Sequence, residues 1–431
     1  MKVNSPHQHR FLVKGGIPLK GQVRVSGSKN AILPILAAAL LTDEPVTLAN
    51  VPDIADVHTM QGILDFLGVK TEFKSPLFKI HAKTVSDKEI PHELVSRLRA
   101  SILLLAPLLV RNKRARLAFP GGCVLGKRPV DAHLKALQAL GAEVVEDRET
   151  LHLCATVGTR HTLSLRGANF VMTEASVTAT ENAVIAAVLA RGATTIRFAA
   201  CEPHVQDLCH FLNAMGAHIS GIGTHMLEIT GVDRLHGADY SVTSDYLEAG
   251  TLVLAAAITG GDVEVLNVAP HHLDVFWQKL SEAGVRFTLG KNSVHVFPSQ
   301  DLRAIRLQTA VFPSFPTDLQ AQFATLLTQA KGTSFIFETL FDGRLQYLYE
   351  LEQMGAGFKI LNPYQAEIIG PARLKGASVA SCDIRAGAAI LLAALAAKGQ
   401  TEISHVYYID RGYERLDEKL VTLGAKIKRL A

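Results

Sequence analysis

Cysteine is scarce and scattered. Cys123, Cys154, Cys201, Cys209 and Cys382 are odd in number and form no Cys-x-x-Cys pair, which excludes a disulfide- or metal-stapled module and fits a reducing cytoplasm. Net charge is also scarce. Lys plus Arg minus Asp plus Glu is 44 − 40 = +4, and there is no long basic run, so nucleic acid is not expected as a partner and cationic chemistry must be local. The longest apolar runs, Ile102 to Val110 and Ala386 to Ala397, fall short of the roughly 20 residues that span a bilayer. Met1 to Arg10 has no apolar core that could act as a secretory signal, so no membrane partner is expected. Gly221-Ile-Gly223 lacks a third glycine and a Walker lysine, and neither Gly-x-Ser-x-Gly nor His-Glu-x-x-His occurs. Nucleotide-fold, hydrolase-elbow and zincin motifs are therefore missing.

What the chain does have is length and a repeat. At 431 residues it is long enough for two or three cores. An amphipathic stretch ending in Leu-x-x-x-Gly-Ala or a near variant recurs, with its glycines at Gly68, Gly141, Gly216, Gly284, Gly355 and Gly424, about 70 residues apart. Each glycine suits a helix end with φ > 0, and strand-like alternation follows. A second phrase interleaves with the first: an Ala/Leu-rich helix, a turn, then a β-rich stretch. Its helices cover Asn30 to Leu41, Ala100 to Val110, Thr180 to Ala190, Glu248 to Ile258, Asp318 to Ala330 and Arg385 to Ala397. Helices apolar all round must be enclosed by protein, so six internal repeats with buried helices inside sheets are expected, giving an α/β fold. Six such units exceed one core, and three plus three is the natural division. The polar stretch Val232 to Asp239 is the best boundary, giving one domain over 28–237 and a second from 1–27 plus 238–431.

Polar residues that break the repeat's blandness are the functional candidates. Lys29 and Asn30 open the first apolar helix, where helix N–H groups and a cation suit an anion. Arg385 opens the sixth after Asp383; its charge opposes the helix dipole there and needs a compensating anion from protein or ligand. Cys123 lies in a Gly-rich basic loop beside Lys127 and Arg128, surroundings that lower a thiol pKa, whereas the other four cysteines read as structural. Cys201-Glu-Pro-His204 with Cys209-His210 superficially suggests zinc, but the spacing follows no standard finger. No metal and no cofactor are expected.

Five segments resemble signatures of the UDP-N-acetylglucosamine 1-carboxyvinyltransferases, enolpyruvyl transferases related to EPSP synthase. They are Val25-Ser-Gly-Ser-Lys-Asn-Ala-Ile-Leu-Pro34, Leu98-Arg-Ala-Ser101, Pro120-Gly-Gly-Cys-Val-Leu-Gly-Lys-Arg-Pro-Val-Asp131, Phe315-Pro-Thr-Asp-Leu-Gln-Ala-Gln-Phe323 and Ile409-Asp-Arg-Gly-Tyr-Glu-Arg415. The resemblance runs in order from about Phe11 to the C-terminus. It implies the two-domain inside-out α/β barrel of three repeats each, with the N-terminal strand completing the C-terminal domain and the active site in the cleft between them. It implies the first committed step of peptidoglycan synthesis, with phosphoenolpyruvate and UDP-N-acetylglucosamine as small-molecule partners. By position, Lys29, Arg128 and Arg411 resemble cations that hold phosphoenolpyruvate, with Arg344 and Arg385 nearby. Asp318 resembles the carboxylate that takes the proton of the sugar 3-hydroxyl, and Cys123 the loop thiol that protonates the methylene or carries an adduct. Asn30, Arg99, Arg128, Pro129, Val130, Asp131, Ser176, Val177 and Leu340 look like acceptor-binding positions.

Four departures bear on the acceptor: Glu174 where a Lys is familiar, Thr178 for Gly, Ala132 for Leu and Tyr246 for Arg. Replacing a cation by Glu174 beside a diphosphate or uracil weakens such binding. A different acceptor therefore stays open, although a shikimate phosphate is disfavoured, because Ser28-Lys-Asn30 lacks the Ser-x-Ser-x-x-x-Arg continuation of that branch. A catalytically silent binding paralogue is the other alternative, opposed by the intact set Lys29, Cys123, Asp318 and Arg411.

Overall fold

The structure, a computed structural model, describes residues 9–118, 130–146, 150–155 and 165–430. All six repeat glycines have φ between 80° and 99°, the left-handed values that end a helix without a Cβ clash. The six apolar helices form with small corrections. They run over Lys29–Ala38, Leu105–Asn112, Val177–Ala187, Tyr246–Ile258, Gln320–Leu327 and Ile384–Ala396. The segment expected as one helix from Ala100 starts instead as a 3-10 turn, Arg99–Leu104. Pro107, in the first turn of Leu105–Asn112, has no N–H for the Leu103 carbonyl, a bond needed only by a helix that began earlier, so the proline favours a helix start at this point. The segment expected to be helical from Asp318 likewise opens with the 3-10 turn Thr317–Leu319.

Caps fix where the strongest helices start. The Ser28 hydroxyl accepts from Ala31 N at 3.3 Å. Asp245 accepts from Leu247 N and Glu248 N at 2.8 and 3.0 Å, and Asp383 from Arg385 N and Ala386 N at 2.7 and 2.9 Å. Such caps contribute about 1 kcal/mol each. Every residue of Tyr246–Ile258 is buried, as a helix apolar on all sides requires.

The chain forms two compact units, one taking the described residues up to Ser26 and from Ser244 onward, the other those between. The second crossing lies beyond the Val232 to Asp239 stretch because strand Asp239–Ser241 adds in parallel to Pro45–Ala49. Each unit has its own apolar core, one drawn from residues between Ala31 and Val242, the other from Phe11 to Val25 and Tyr246 to Ala425.

Sheets follow one plan. In five of the six sheets the strand after the apolar helix pairs in parallel with a short strand on one side and antiparallel on the other; in the three-stranded sheet of Arg114–Ala118 a single parallel bridge, Ile90 to Leu117, stands in place of the short strand. Gly332–Phe337, for instance, lies between Arg306–Gln308 and the hairpin Gly357–Asn362/Gln365–Gly370. The last sheet keeps this plan with a substitution. Here Arg10–Lys14 takes the place of the central hairpin strand, antiparallel to both Gln400–Ser404 and Lys426–Leu430. Among the described residues, no helix is long and apolar enough to cross a membrane.

Candidate active site

In the unit formed by residues 9–26 and 244–430, Asp318 gathers two arginines from distant segments. Arg344 Nη2 donates to Asp318 Oδ1 at 2.5 Å, while Arg385 Nε and Nη2 donate to Oδ2 at 3.1 and 3.0 Å. Both guanidinium groups are nearly sealed from solvent, their side chains 4% and 8% exposed against 27% for Asp318. Burial opposes the Arg385 charge, yet Asp318, Tyr413 and Asp245 outweigh it and raise the pKa. For Arg344 burial is likewise outweighed by Asp318, Asp383 and Glu338. The compensating anion that Arg385 requires is thus Asp318, a protein group.

Neighbouring contacts lock this arrangement. Buried Glu338 accepts from Leu340 N and Phe341 N at 2.9 and 3.3 Å and from the Thr317 hydroxyl at 2.8 Å, which ties the turn bearing Asp318 to the turn presenting exposed Leu340. Tyr413 lies under Arg385, whose Cζ is 5.5 Å from the ring centroid. The Tyr413 hydroxyl meets Thr251 Oγ1 at 3.0 Å and accepts from Gln322 Nε2 at 3.1 Å, so all three apolar helices of this unit converge on it. Buried Arg411 precedes Tyr413 at the end of Tyr407–Asp410. Glu414, next along, accepts a hydrogen bond from the Ser26 hydroxyl, while Lys419 donates to Ser26 Oγ at 2.7 Å and pairs with buried Glu248. Gln322 and Tyr413 fall within the signature segments but have no role assigned from sequence, since their partners Thr251 and Arg385 lie in other repeats, and Glu338 and Lys419 are not singled out by sequence at all.

The other unit holds the remaining described candidates. Lys29 Nζ lies 3.2 Å from Asp56 Oδ2, with both side chains mostly buried. Asn30 follows in the first turn of that helix, half-buried, and Arg99 opens the 3-10 turn, also half-buried. Val130 and Ala132 are buried around exposed Asp131, the first residue of helix Asp131–Ala139. Ser176 and Val177 begin helix Val177–Ala187, with exposed Glu174 just before them. His133 joins the two helices: its Nε2 lies 3.1 Å from Thr178 Oγ1 and its Nδ1 2.8 Å from Asn182 Nδ2. Cys123, Arg128 and Pro129 lie outside the described residues. Burial pushes the thiols of Cys201, Cys209 and Cys382 up to about 11, 12 and 11. Among the described residues, no group of three His, Cys, Asp or Glu side chains is arranged to hold a metal ion.

The family model of EPSP synthase (3-phosphoshikimate 1-carboxyvinyltransferase) matches residues 13–420. The chain belongs to the EPSP synthase family. Within that family it is 44% identical over 427 residues to a UDP-N-acetylglucosamine 1-carboxyvinyltransferase of Koribacter versatilis, covering 98% of this chain and 96% of the relative. A Coxiella burnetii protein of the same name is 45% identical over 424 residues, with 98% and 96% covered. Among solved structures, the enolpyruvyl transferase NikO from Streptomyces tendae superposes with a TM-score of 0.88 at 26% identity, covering 99% of both chains. An EPSP synthase from Acinetobacter baumannii shares the fold, with a TM-score of 0.74 at 18% identity over 98% of this chain and 100% of that one. The inside-out α/β architecture of the family, with its six sheets, is the fold of this chain.

Proposed function

We propose that the protein transfers the enolpyruvyl group of phosphoenolpyruvate to the 3-hydroxyl of UDP-N-acetylglucosamine, releasing phosphate, as the first committed step of peptidoglycan synthesis in the cytoplasm. The observation that carries this reading is 44% and 45% identity to proteins of that name along 98% of the chain. In the reaction the sugar oxygen bonds to the central carbon of phosphoenolpyruvate while the methylene gains a proton. The carbon–phosphate oxygen bond then breaks and the methyl group loses a proton, restoring the double bond. Asp318 takes the hydroxyl proton, its orientation fixed by Arg344 and Arg385. Cys123 delivers the proton to the methylene. Lys29, Arg128 and Arg411 bind the phosphate and carboxylate, where fixed cations favour the charge that builds as the bonds change. Asn30, Arg99, Val130, Asp131, Ser176, Val177 and Leu340 receive the acceptor.

A second acceptor is favoured by one observation: Glu174 is exposed just ahead of Ser176 and Val177, a negative charge where a diphosphate would be unwelcome. The deciding experiment is phosphate release from phosphoenolpyruvate with a panel of UDP-sugars and 3-phosphoshikimate. Turnover with UDP-N-acetylglucosamine, without added metal or nucleotide cofactor, is expected. Release with 3-phosphoshikimate and none with UDP-N-acetylglucosamine would overturn the reading.

A further inference from the structure

The orientation of His133 is dictated by backbone groups. Asn182 is wholly buried in helix Val177–Ala187 and meets two main-chain partners: Ala106 N donates to its Oδ1 at 3.3 Å, and its Nδ2 donates to the Ile102 carbonyl at 3.0 Å. A flipped amide would set donor against donor and acceptor against acceptor, so these contacts fix it. The second Nδ2 hydrogen then points at His133 Nδ1, 2.8 Å away, and that nitrogen must accept. An imidazole accepting at Nδ1 carries its proton on Nε2, where it is donated to Thr178 Oγ1 at 3.1 Å. Thr180 and Thr251 spend their hydroxyl hydrogens on carbonyls one turn back, each at 2.8 Å. The Thr178 hydroxyl, having accepted from His133, keeps its hydrogen on a half-buried residue that solvent reaches. Protonating His133 would drive an Nδ1–H into the Asn182 amide nitrogen. Burial, with the Arg99 cation adding to it, pushes the imidazole down to about 3.

We propose that His133 is a positioning residue for acceptor binding: held by Asn182 and Thr178, it joins the start of helix Asp131–Ala139 to the start of Val177–Ala187 and makes the Thr178 hydroxyl a donor to an acceptor oxygen. The inference rests on the activity proposed above. Val130, Asp131, Ser176 and Val177 sit at these two helix starts, so the clamp makes the acceptor segments one body. It also leaves His133 neutral, without a charge to offer the ligand.

Thr178→Val removes the hydroxyl and keeps the shape. It is expected to raise the KM for UDP-N-acetylglucosamine about fivefold, the size of one lost hydrogen bond, with kcat and the phosphoenolpyruvate KM unchanged; Thr178→Ser restores the wild-type value. Asn182→Asp reverses the relay. A carboxylate only accepts, so His133 would carry its proton on Nδ1 and take the Thr178 hydrogen at Nε2, giving the acceptor KM of Thr178→Val. Should Asn182→Asp fail to fold, imidazole nitrogen NMR of the ligand-free wild type decides the same point, with His133 expected as the neutral Nε2–H tautomer from about pH 5 to 8. Titration of His133 within that range, an Nδ1–H tautomer, or an unchanged acceptor KM in Thr178→Val would each overturn the proposal. If wild-type protein ignores UDP-N-acetylglucosamine, only the activity reading falls. The imidazole signals need no substrate, and the kinetic comparison then uses whichever panel member is turned over.

Discussion

Asp318 gives each of its carboxylate oxygens to a different buried arginine, so structure and chemistry meet in one side chain. Asp318→Ala leaves two buried cations without their shared anion, a change that costs about 3 kcal/mol or more, and removes the group proposed above as the base, which is expected to cost roughly a hundredfold or more in turnover. Urea unfolding and phosphate release measure the two losses; a variant with native stability and turnover would refute both roles. The cysteines separate as sharply. With their thiols pushed up to about 11, 12 and 11 by burial, Cys201, Cys209 and Cys382 hold almost no thiolate at neutral pH. Fosfomycin, an epoxide phosphonate, is therefore expected to spare these three and to label Cys123, faster with UDP-N-acetylglucosamine present. Cys154 is exposed but lacks flanking cations to hold the phosphonate, so Cys123 is preferred to it, and Cys123→Ala is expected to abolish labelling. Peptide mapping that found the adduct on Cys201 or Cys209 would contradict the assignment of the reactive loop. Sequence made the need of Arg385 for an anion visible, because a cation at a helix start after Asp383 is out of place. It could not name Asp318, which is 67 residues away in a different repeat, and it missed Asn182 because an amide in an apolar helix carries no periodic signal.

Among the elements, apolar helices and repeat glycines were the most legible, since an all-apolar helix and a left-handed glycine each leave a local mark in sequence. The 3-10 turns Arg99–Leu104 and Thr317–Leu319 were not read, although Pro107 stands in the first turn of the helix after one and Pro316 immediately before the other. The second of these turns couples packing to the site. A Cβ on Gly250, in the middle of Tyr246–Ile258, would stand 2.5 Å from Leu319 Cδ1 and 3.0 Å from Cδ2. Leu319 is fully buried and cannot swing into solvent, so relief must come from the turn that carries Asp318. Gly250→Ala is expected to destabilise the protein by about 1–3 kcal/mol through overpacking and to lower kcat as Asp318 shifts against its arginines. A Gly250→Ala enzyme with lower stability but unaltered kcat would show that the turn absorbs the strain without moving the carboxylate.

For the whole molecule, the decisive feature is that residues 9–26 belong with residues 244–430 and not with the chain that follows them. The intervening part, 27–243, owns its core and supplies its own parallel strand, Asp239–Ser241, to Pro45–Ala49. It is expected to fold when expressed alone. The C-terminal part lacks two strands: Arg10–Lys14, which sits between Gln400–Ser404 and Lys426–Leu430, and Lys20–Arg24, which pairs with Asp262–Leu266. With them go Phe11, Val13, Leu19, Val23 and Val25, all buried. At about 1.5–3 kcal/mol per buried apolar side chain, their loss is comparable with the roughly 5–15 kcal/mol that holds a whole domain folded. A fragment 244–431 is therefore expected to be unfolded. The single tryptophan, Trp277, lies buried in this unit with its indole N–H donating to the Pro270 carbonyl at 2.8 Å, so its fluorescence reports on this unit alone. The register suggests the rescue: Arg10 stands opposite Leu430 in an antiparallel pair, so residues 9–26 joined after 431 by a short Gly-containing turn would re-enter the sheet as a hairpin. That rearranged fragment should unfold cooperatively with a buried-indole spectrum, while 244–431 alone shows an exposed one. Cooperative unfolding of 244–431 without residues 9–26 would mean that the N-terminal strands decorate the unit and do not complete it.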